Sequence, residues 1–249
     1  MNPIRAAKAV GRMLSALGPY HLARFLYARS KGHSQRFSLT SPYAMHPVWC
    51  RPDTSDITVF YQIFGHREYR CLDHVQNPKL IIDCGANVGY SAAYFLSRFP
   101  GVKLIAIEPD KSNYETLRDN LRPYENWEAI NSGVWVKSTG LVMSESGSGV
   151  GEEWGRQVRE AGPGETPQMT AVNMGDVVGN QRVGILKIDI EGAEDLIFQS
   201  HAPWLSQIEN VTIEIHSQWG AREIPNILGS YGFSVSKCDE VLVGTRRVR

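Results

Sequence analysis

Two acidic residues at the ends of apolar runs are the first candidates for chemistry in this chain. Asp83 follows a short apolar run and precedes a turn that contains Gly85 and Gly89. Glu108 follows the next apolar run, residues 103–107, and lies 25 positions after Asp83. In an open parallel sheet, an acid at the end of the second strand accepts hydrogen bonds from a ribose bound across the first turn. The spacing therefore predicts half of a nucleoside-binding fold.

The turn after the first strand, DCGANVG at 83–89, consists mostly of small residues. Its two glycines lack a Cβ, so the backbone can turn sharply and a ligand can approach it closely. The first amides of the following helix point back toward that ligand. With Glu108 on the ribose, the predicted cofactor contacts in the turn are Asp83, Gly85, Ala86, Asn87 and Gly89.

The spacing and charge of the turn indicate which nucleoside it binds. A dinucleotide site requires the pattern G-x-G-x-x-G, whereas Gly85 and Gly89 give only G-x-x-x-G. The carboxylate of Asp83 repels a pyrophosphate and favours a cationic ligand. S-Adenosylmethionine carries a sulfonium, an amino group and a ribose but no phosphate. The turn thus favours this methyl donor, and a nicotinamide-dependent oxidoreductase is the weaker alternative.

A second group of ionisable residues follows two later apolar runs. Asp189 comes directly after the run 185–188, and Glu191 lies two positions further on. His216 follows the run 211–215. Because the carboxyl ends of parallel strands meet at one edge of a sheet, these side chains are predicted to lie at the ligand crevice. His216 is the candidate base, since an imidazole titrates near neutral pH, and Asp189 and Glu191 are its candidate catalytic partners. Asp189 is also a predicted cofactor contact, near the methionine ammonium, the acceptor, or both.

Two alternatives stay open for this group. His216 can be a structural histidine without a catalytic role. Asp189, Glu214 and His216 can instead bind a divalent metal that lowers the pKa of an acceptor hydroxyl. Their spacing is not a strong ligand signature, so the sequence predicts no metal.

Strands and helices alternate along the chain in the order that positions these residues. Parallel strands separated by helices are typical of an α/β sheet. The predicted strands are 80–82, 103–107, 127–131, 185–188 and 211–215, and helices follow at 88–99 and 111–122. A terminal helix at 225–231 precedes two strands, 233–238 and 240–243, that form an antiparallel hairpin.

Three motifs in fixed order resemble a known family. DCGANVG at 83–89, IEPD at 107–110 and LKIDIEGAE at 186–194 resemble the FkbM family of S-adenosylmethionine-dependent methyltransferases, and the segment 46–69 resembles the stretch before that domain. The resemblance covers about residues 46–246. It implies an α/β class I methyltransferase fold, Rossmann-like, with a mostly parallel seven-stranded sheet and a terminal antiparallel hairpin. It also implies, most often, O-methylation of a hydroxyl on a sugar, a glycolipid or polysaccharide precursor, or a secondary metabolite.

The resemblance further implies roles for residues outside the glycine turn. In a class I methyltransferase the adenine lies near the ends of the second and third strands, where Ser132 and Gly133 follow the third strand. The helix that begins near Asp56 is expected to cover the methyl donor, with Asp56, Tyr61 and Tyr69 as candidates for polar contacts. The partner implied is a small-molecule or glycan acceptor. A catalytically silent nucleoside-binding or scaffold protein is the alternative to an enzyme.

The distribution of charge divides the chain. Residues 1–52 contain eight Lys or Arg and no Asp or Glu, whereas the remainder has 18 basic and 26 acidic residues. This asymmetry predicts a basic amphipathic helical extension at 1–45 before a catalytic domain at 46–249. The apolar face of the extension packs on the domain, mediates a homo-oligomer, or lies on an anionic membrane.

The glycine-rich segment 144–168 shows no sustained period. Such a long irregular segment within a domain predicts a mobile loop that binds the acceptor, with Trp154 stacking on it. A surface insertion without a role is the alternative.

Composition excludes several other classes of protein. No apolar run approaches the length of a membrane span, and the scattered cysteines contain no C-x-x-C pair, which predicts reduced thiols and a cytoplasmic protein, peripheral at most to the inner membrane surface. The basic residues cluster near the N-terminus without an aromatic platform, so nucleic acid is not an expected partner.

Overall fold

The fold is taken from a computed structural model that describes residues 18–20, 23, 27, 36–143, 158–200 and 202–246. The strands are β1 (Phe37–Leu39), β2 (Val48–Cys50), β3 (Leu80–Cys84), β4 (Lys103–Ile107), β5 (Trp127–Ile130), β6 (Gly133–Trp135), β7 (Thr139–Met143), β8 (Val158–Glu160), β9 (Met169–Asn173), β10 (Ile185–Ile188), β11 (Asn210–Glu214), β12 (Phe233–Cys238) and β13 (Val241–Arg246). The α-helices are α1 (Asp56–Phe60), α2 (Tyr90–Arg98), α3 (Lys111–Leu121), α4 (Met174–Val178), α5 (Glu194–Gln199) and α6 (Gln218–Ser230). A π-helix, Tyr61–Gly65, continues α1, and two 3-10 helices occupy Glu68–Leu72 and Pro203–Gln207.

The central sheet has seven strands in the order β12-β13-β11-β10-β3-β4-β5. Strands β11, β10, β3, β4 and β5 pair in parallel, and β13 is antiparallel to both of its neighbours. The chain runs outward from β3 to β5 and later returns to place β10 on the other side of β3. Ligands bind at the carboxyl ends of strands where the strand order reverses in this way. The predicted parallel sheet with a terminal antiparallel hairpin is confirmed.

Each side of β3 enters a separate hydrophobic core, which explains why its sequence is almost continuously apolar. Successive side chains of a strand point to opposite faces. Ile81 lies in one core with Phe95 of α2 and Leu117 of α3. Ile82 lies in the other core with Phe198 of α5 and Ile224 of α6. Helices cover both faces, so the carboxyl end of β3 is held rigidly at the centre of the sheet.

A hairpin near the N-terminus includes residues that were predicted to belong to the helical extension. Strands β1 and β2 pair in antiparallel fashion, Phe37 with Cys50 and Leu39 with Val48. These four side chains are buried in the same core as α2. The hairpin crosses the boundary expected at residue 45, so residues 36–45 pack with the domain. Strands of three residues are too short to show the alternation of apolar and polar residues that identifies a strand in a sequence.

Little of the segment before this hairpin is described. Residues 18–20, 23 and 27 are helical. The remainder of the predicted amphipathic extension lies outside the described residues. Within the described part of the chain, no helix is both long enough and apolar enough to cross a bilayer.

A smaller sheet, in the order β6-β9-β7-β8, corrects the predicted loop at 144–168. Strand β8 lies inside that segment and pairs with β7 in antiparallel fashion. Residues 144–157, including Trp154, lie outside the described residues, and their mobility and acceptor contact remain predictions.

Cys50, Cys71, Cys84 and Cys238 are free, and Cys50 and Cys84 are buried.

Candidate active site

A cavity opens at the carboxyl ends of β3 and β10, where the strand order reverses. Its volume of about 260 Å³ far exceeds the roughly 10–15 Å³ that one water requires, so the cavity can hold a small molecule. Its lining residues come from α1, the π-helix, the 3-10 helix Glu68–Leu72, the glycine turn and the ends of β10 and β11: Ser55, Thr58, Val59, Gln62, Ile63, Glu68, Tyr69, Gly85, Ala86, Asn87, Tyr90, Ser91, Lys187, Asp189, Glu191 and Glu214.

The glycine turn has the backbone shape that the sequence predicted. Gly85 has φ +75°, and a Cβ at this position would overlap the backbone oxygen of Asp189. Gly89 has φ +82°, and a Cβ there would lie 3.0 Å from the Cγ atom of Leu117 in α3. The amides of Gly85 and Ala86 donate hydrogen bonds to the carbonyl oxygen of Ile107 at 2.9 and 3.0 Å. Glycine is thus required for close packing at both positions, and the turn is fastened to β4.

Asp83 has a different environment from the one expected. Its carboxylate is fully buried, accepts a hydrogen bond from Ser91 Oγ at 2.6 Å and lies 3.2 Å from Lys187 Nζ. Lys187 Nζ also donates to the carbonyl oxygen of Gly85 at 2.6 Å. Asp83 does not line the cavity. The predicted direct attraction to a cationic ligand is therefore corrected: Lys187 neutralises this carboxylate, which positions the turn.

Lys187 is a site residue that the sequence analysis missed. It is 2% exposed, and its nearby carboxylates, Asp83 first, hold its pKa well above the usual range despite burial. The signal was a single lysine within an apolar strand, which is rare unless the charge is paired.

Glu108 binds the turn across the gap between β3 and β4. Its Oε2 accepts from the amide of Asn87 at 2.8 Å, and its Oε1 accepts from the amide of Asp110 at 2.9 Å. Burial raises the pKa of Glu108 to about 7. The carboxylate lies beside the turn, as expected, but does not line the cavity. Its ribose contact remains a prediction.

Ser132 and Gly133 do not line the cavity either. Ser132 Oγ donates to the backbone oxygen of Thr170, and Gly133 begins β6, where Leu141 packs against it. Both residues therefore contact strands of the small sheet, β9 and β7. Their contact with adenine remains a prediction that the geometry does not support directly.

The segment over the cavity is placed by packing and by one ion pair. Ile63 and Tyr69 are buried and line the cavity. Asp56 is buried and accepts from Arg51 Nη2 at 2.8 Å and from Arg51 Nε at 3.0 Å. Tyr61 packs against the ring of His66. Of the three expected polar contacts, only Tyr69 faces the cavity; Asp56 instead joins β2 to α1.

Carboxylates and one imidazole cluster at the ends of β10 and β11. Glu194 is buried and accepts hydrogen bonds from the amides of Ile190 and Gly192 at 2.9 and 2.8 Å. Its Oε1 lies 3.2 Å from His216 Nδ1. His216 Nε2 lies 3.6 Å from Glu191 Oε2 and 3.7 Å from Glu214 Oε1. The cluster brings together all three predicted catalytic residues, since Asp189 also lies within it.

The predicted role of His216 as a base disagrees with this environment. The hydrogen bond with Glu194 and the neighbouring carboxylates of Glu214 and Glu191 raise the pKa of His216 to about 11. The imidazole is therefore protonated at neutral pH and cannot accept a proton. The sequence did not reveal this because Glu194 lies 22 positions before His216.

Two of the cavity carboxylates are difficult to ionise. Burial raises the pKa of Asp189 to about 6, and its Oδ1 is buried without a hydrogen-bond partner in the described structure. Burial and the charge of Asp189 raise the pKa of Glu191 to about 7. Both are suited to interact with a cationic group or to accept a proton near neutral pH.

Glu68 is a third such carboxylate and was missed from the sequence. It is 8% exposed and lines the cavity from the 3-10 helix Glu68–Leu72. Burial, with the charges of Glu214 and Asp189, raises its pKa to about 7. No motif distinguishes this residue in the sequence.

The residues present fit S-adenosylmethionine better than a dinucleotide. Gly85, Ala86 and Asn87 line the cavity with small or polar groups, and Asp189, which also lines it, has a carboxylate oxygen without a hydrogen-bond partner in the described structure. Carboxylates dominate the charge of the cavity, which disfavours a pyrophosphate. The sheet order and the site at its reversal define a class I S-adenosylmethionine-dependent methyltransferase.

The chain belongs to the FkbM methyltransferase family: residues 83–235 match the family described as the methyltransferase FkbM domain. Methyltransferase sdnD of Sordaria araneosa is 25% identical over 222 residues, which cover 72% of this chain and 82% of that protein. Methyltransferase 1 of Beauveria bassiana is 24% identical over 208 residues, with 70% and 81% covered.

Solved structures of methyltransferases are also similar to this chain. A methyltransferase from Geobacter sulfurreducens has a TM-score of 0.46 at 15% identity, with 74% of this chain and 78% of that chain covered. Magnesium protoporphyrin IX methyltransferase from Synechocystis, solved with bound S-adenosylmethionine, has a TM-score of 0.45 at 10% identity, with 88% and 89% covered.

Proposed function

We propose that this protein transfers the methyl group of S-adenosylmethionine to a hydroxyl oxygen. The acceptor class is a sugar, a glycolipid or polysaccharide precursor, or a hydroxylated secondary metabolite. The observation that carries the proposal is the juxtaposition of the glycine turn at Gly85 with cavity carboxylates, Asp189 and Glu191, at the next strand end. The glycine turn can hold a methyl donor, while the neighbouring carboxylates can receive a proton from the acceptor.

The residues of the turn and of β10 would hold the methyl donor. Bound S-adenosylmethionine supplies an activated methyl group on a positively charged sulfur. Gly85, Ala86 and Asn87 present backbone to it, and the free Oδ1 of Asp189 can accept a hydrogen bond from its ammonium. Ile63 and Tyr69 exclude water above the cavity. Because the methyl group is already activated, the protein mainly aligns the two reactants.

Glu191 is the proposed proton acceptor. Its carboxylate lines the cavity and is partly exposed, so an acceptor hydroxyl can reach it. The hydroxyl oxygen forms a bond to the methyl carbon, the carbon–sulfur bond breaks with its electron pair on sulfur, and the hydroxyl proton passes to Glu191. His216, held by Glu194, keeps Glu191 in place.

A turnover assay tests this reaction. The chain is incubated with S-adenosylmethionine and, separately, with nucleotide sugars, lipid-linked sugars and small hydroxylated metabolites, and S-adenosylhomocysteine is quantified. Mass spectrometry and NMR then locate the new methyl group. We expect an O-methyl product and a kcat lowered about 100-fold in Glu191→Gln, the scale of one lost proton-transfer group.

Glu128→Gln is the matched control, because Glu128 is exposed on β5, away from the cavity. A product methylated on nitrogen or carbon contradicts the oxygen acceptor. An unchanged kcat in Glu191→Gln contradicts the role of Glu191.

A further inference from the structure

Three side chains with metal-binding atoms meet at the ends of β10 and β11. One ligand atom from each of Asp189, Glu214 and His216 can be chosen so that all three lie within 4.8 Å of one another. A six-coordinate cation with bonds near 2.1 Å places its ligand atoms about 3.0 to 4.2 Å apart. Small side-chain rotations would therefore close this set around one ion.

The imidazole of His216 is already oriented for such a role. Its Nδ1 lies 3.2 Å from Glu194 Oε1, and Glu194 is fixed by two backbone amides. Metal-binding histidines are oriented in this way, since a carboxylate accepts from one ring nitrogen while a metal replaces the proton on the other. His216 Nε2 faces Glu191 and Glu214 at 3.6 and 3.7 Å, beyond normal hydrogen-bond distance.

One further carboxylate, Glu68, indicates that a positive charge is missing from this end of the cavity. Lys187 Nζ lies 3.5 Å from Asp189 Oδ2, but it is shared with Asp83. Glu68 is 8% exposed and lines the same cavity, and its carboxylate has neither a hydrogen bond nor an ion pair in the described part of the chain. Buried carboxylates are normally paired or bound to a metal. A dication among these groups would offset their charge.

We propose that Asp189, Glu214 and His216 bind one divalent cation of the Mn²⁺ or Mg²⁺ class, with Glu68 facing it across the cavity. Two carboxylates and a single imidazole suit Mn²⁺ better than softer metals that prefer thiolates. The site lies at the ends of β10 and β11, and β10 separates β11 from β3 and its glycine turn.

This inference deepens the proposed function and rests on it. A bound cation would coordinate the acceptor oxygen and ease loss of its proton to Glu191. It therefore favours acceptors that offer a second oxygen beside the reacting hydroxyl, such as vicinal diols, because both oxygens can then coordinate the cation.

Mn²⁺ binding by the full chain tests the proposal. After dialysis against EDTA and removal of the chelator, the chain is titrated with Mn²⁺ while the six-line electron paramagnetic resonance signal of free Mn²⁺ is recorded. We expect one bound ion per chain and at least about tenfold weaker binding in Glu214→Gln and in His216→Gln. Electron spin-echo spectra of bound Mn²⁺ should show nitrogen modulation that His216→Gln removes.

Glu223→Gln is the matched control, since Glu223 pairs with Arg222 on α6 and does not line the cavity. Its Mn²⁺ affinity should equal that of the parent chain. An absence of saturable binding up to about 1 mM Mn²⁺ overturns the proposal, as does unchanged affinity in both cluster variants. S-Adenosylhomocysteine binding is measured separately without metal. If the parent chain does not bind S-adenosylhomocysteine, the proposed function is contradicted. If it binds S-adenosylhomocysteine but not Mn²⁺, only the cation site is contradicted.

Discussion

Gly85 is the residue at which β3 and β10 approach each other most tightly around the cavity. A side chain here would meet the backbone oxygen of Asp189, whereas Gly101 has a similar φ of +81° with nothing within 4 Å of its missing Cβ. We expect Gly85→Ala to weaken S-adenosylhomocysteine binding about 10- to 100-fold, because overpacking displaces the end of β10. Calorimetry measures the affinity.

Gly101→Ala separates the clash from the strain of a positive φ, because it carries the strain alone. It should bind S-adenosylhomocysteine like the parent chain. An equal loss of S-adenosylhomocysteine affinity in Gly85→Ala and Gly101→Ala would mean that backbone strain, and not contact with Asp189, makes the glycine necessary.

Lys187 lies between Asp83 and Asp189, and its removal would leave buried negative charge. Its Nζ is 3.2 Å from Asp83 Oδ1 and 3.5 Å from Asp189 Oδ2. We expect Lys187→Met to lower the free energy of unfolding by about 3 to 5 kcal/mol, the usual result of removing one partner of a buried pair. Urea denaturation measures the change. Lys237→Met, at an exposed position of β12, is the control, and a similar small effect in both would show that the pair is unimportant.

At the residue scale, the sequence indicated which residues gather but not how their charges balance. Asp83 and His216 were both predicted to lie at the crevice, but neither lines the cavity. Their expected roles depended on free charge, whereas Lys187 neutralises Asp83 and Glu194 holds a proton on His216. These partners lie many positions away in the chain, so only the fold reveals them.

The elements over the cavity are held by the ion pair between β2 and α1. Arg51 donates to both oxygens of Asp56 and also to Asn113 of α3. We expect Asp56→Asn to weaken S-adenosylhomocysteine binding about 3- to 10-fold, because a charge-assisted pair of this kind contributes about 1 kcal/mol or more to the position of α1. Calorimetry measures it.

Asp119→Asn is the control, since Asp119 pairs with Arg36 at an exposed position. Exposed pairs contribute little, so its affinity should not change. An unchanged affinity in Asp56→Asn would show that α1 keeps its position without the pair.

At the element scale, burial decided what could be predicted. Strands β3, β4 and β10 begin and end close to the predicted positions, because strands buried on both faces are continuous apolar runs. Strands β1, β2 and β8 have three residues each and were missed. The switch from α1 to a π-helix at Tyr61 likewise leaves no periodic signal.

For the whole molecule, the burial of Glu68 links stability to pH. Burial raises its pKa from 4.5 to about 7. Between these values the folded chain keeps a proton that the unfolded chain has released, so the contribution of Glu68 to stability falls as pH rises, with the full cost above about pH 7. We expect Glu68→Gln to be more stable than the parent chain at pH 8, by on the order of 2 kcal/mol, and equally stable near pH 4.5.

Urea denaturation at the two pH values, in the presence of EDTA, measures this difference. Glu128→Gln, at an exposed position, should show the same stability as the parent chain at both. If Glu68→Gln shows no gain in the free energy of unfolding at pH 8, burial of the Glu68 carboxylate does not destabilise the folded chain.

The family resemblance predicted a seven-stranded sheet with a terminal antiparallel hairpin, but its strand order came only from the structure, because alternating strands and helices alone do not specify which strands are neighbours. The reversal between β3 and β10 then locates the site. The acceptor cannot be predicted at this scale, since it depends on a cavity whose walls come from distant segments.

The central claim is that this cavity binds a cationic, phosphate-free nucleoside, and calorimetry tests it most directly. The full chain is titrated separately with S-adenosylhomocysteine and with NAD. We predict saturable binding of one S-adenosylhomocysteine per chain and no heat of binding with NAD. Binding of NAD with no response to S-adenosylhomocysteine would contradict the assignment of the cavity beside Gly85 and Asp189.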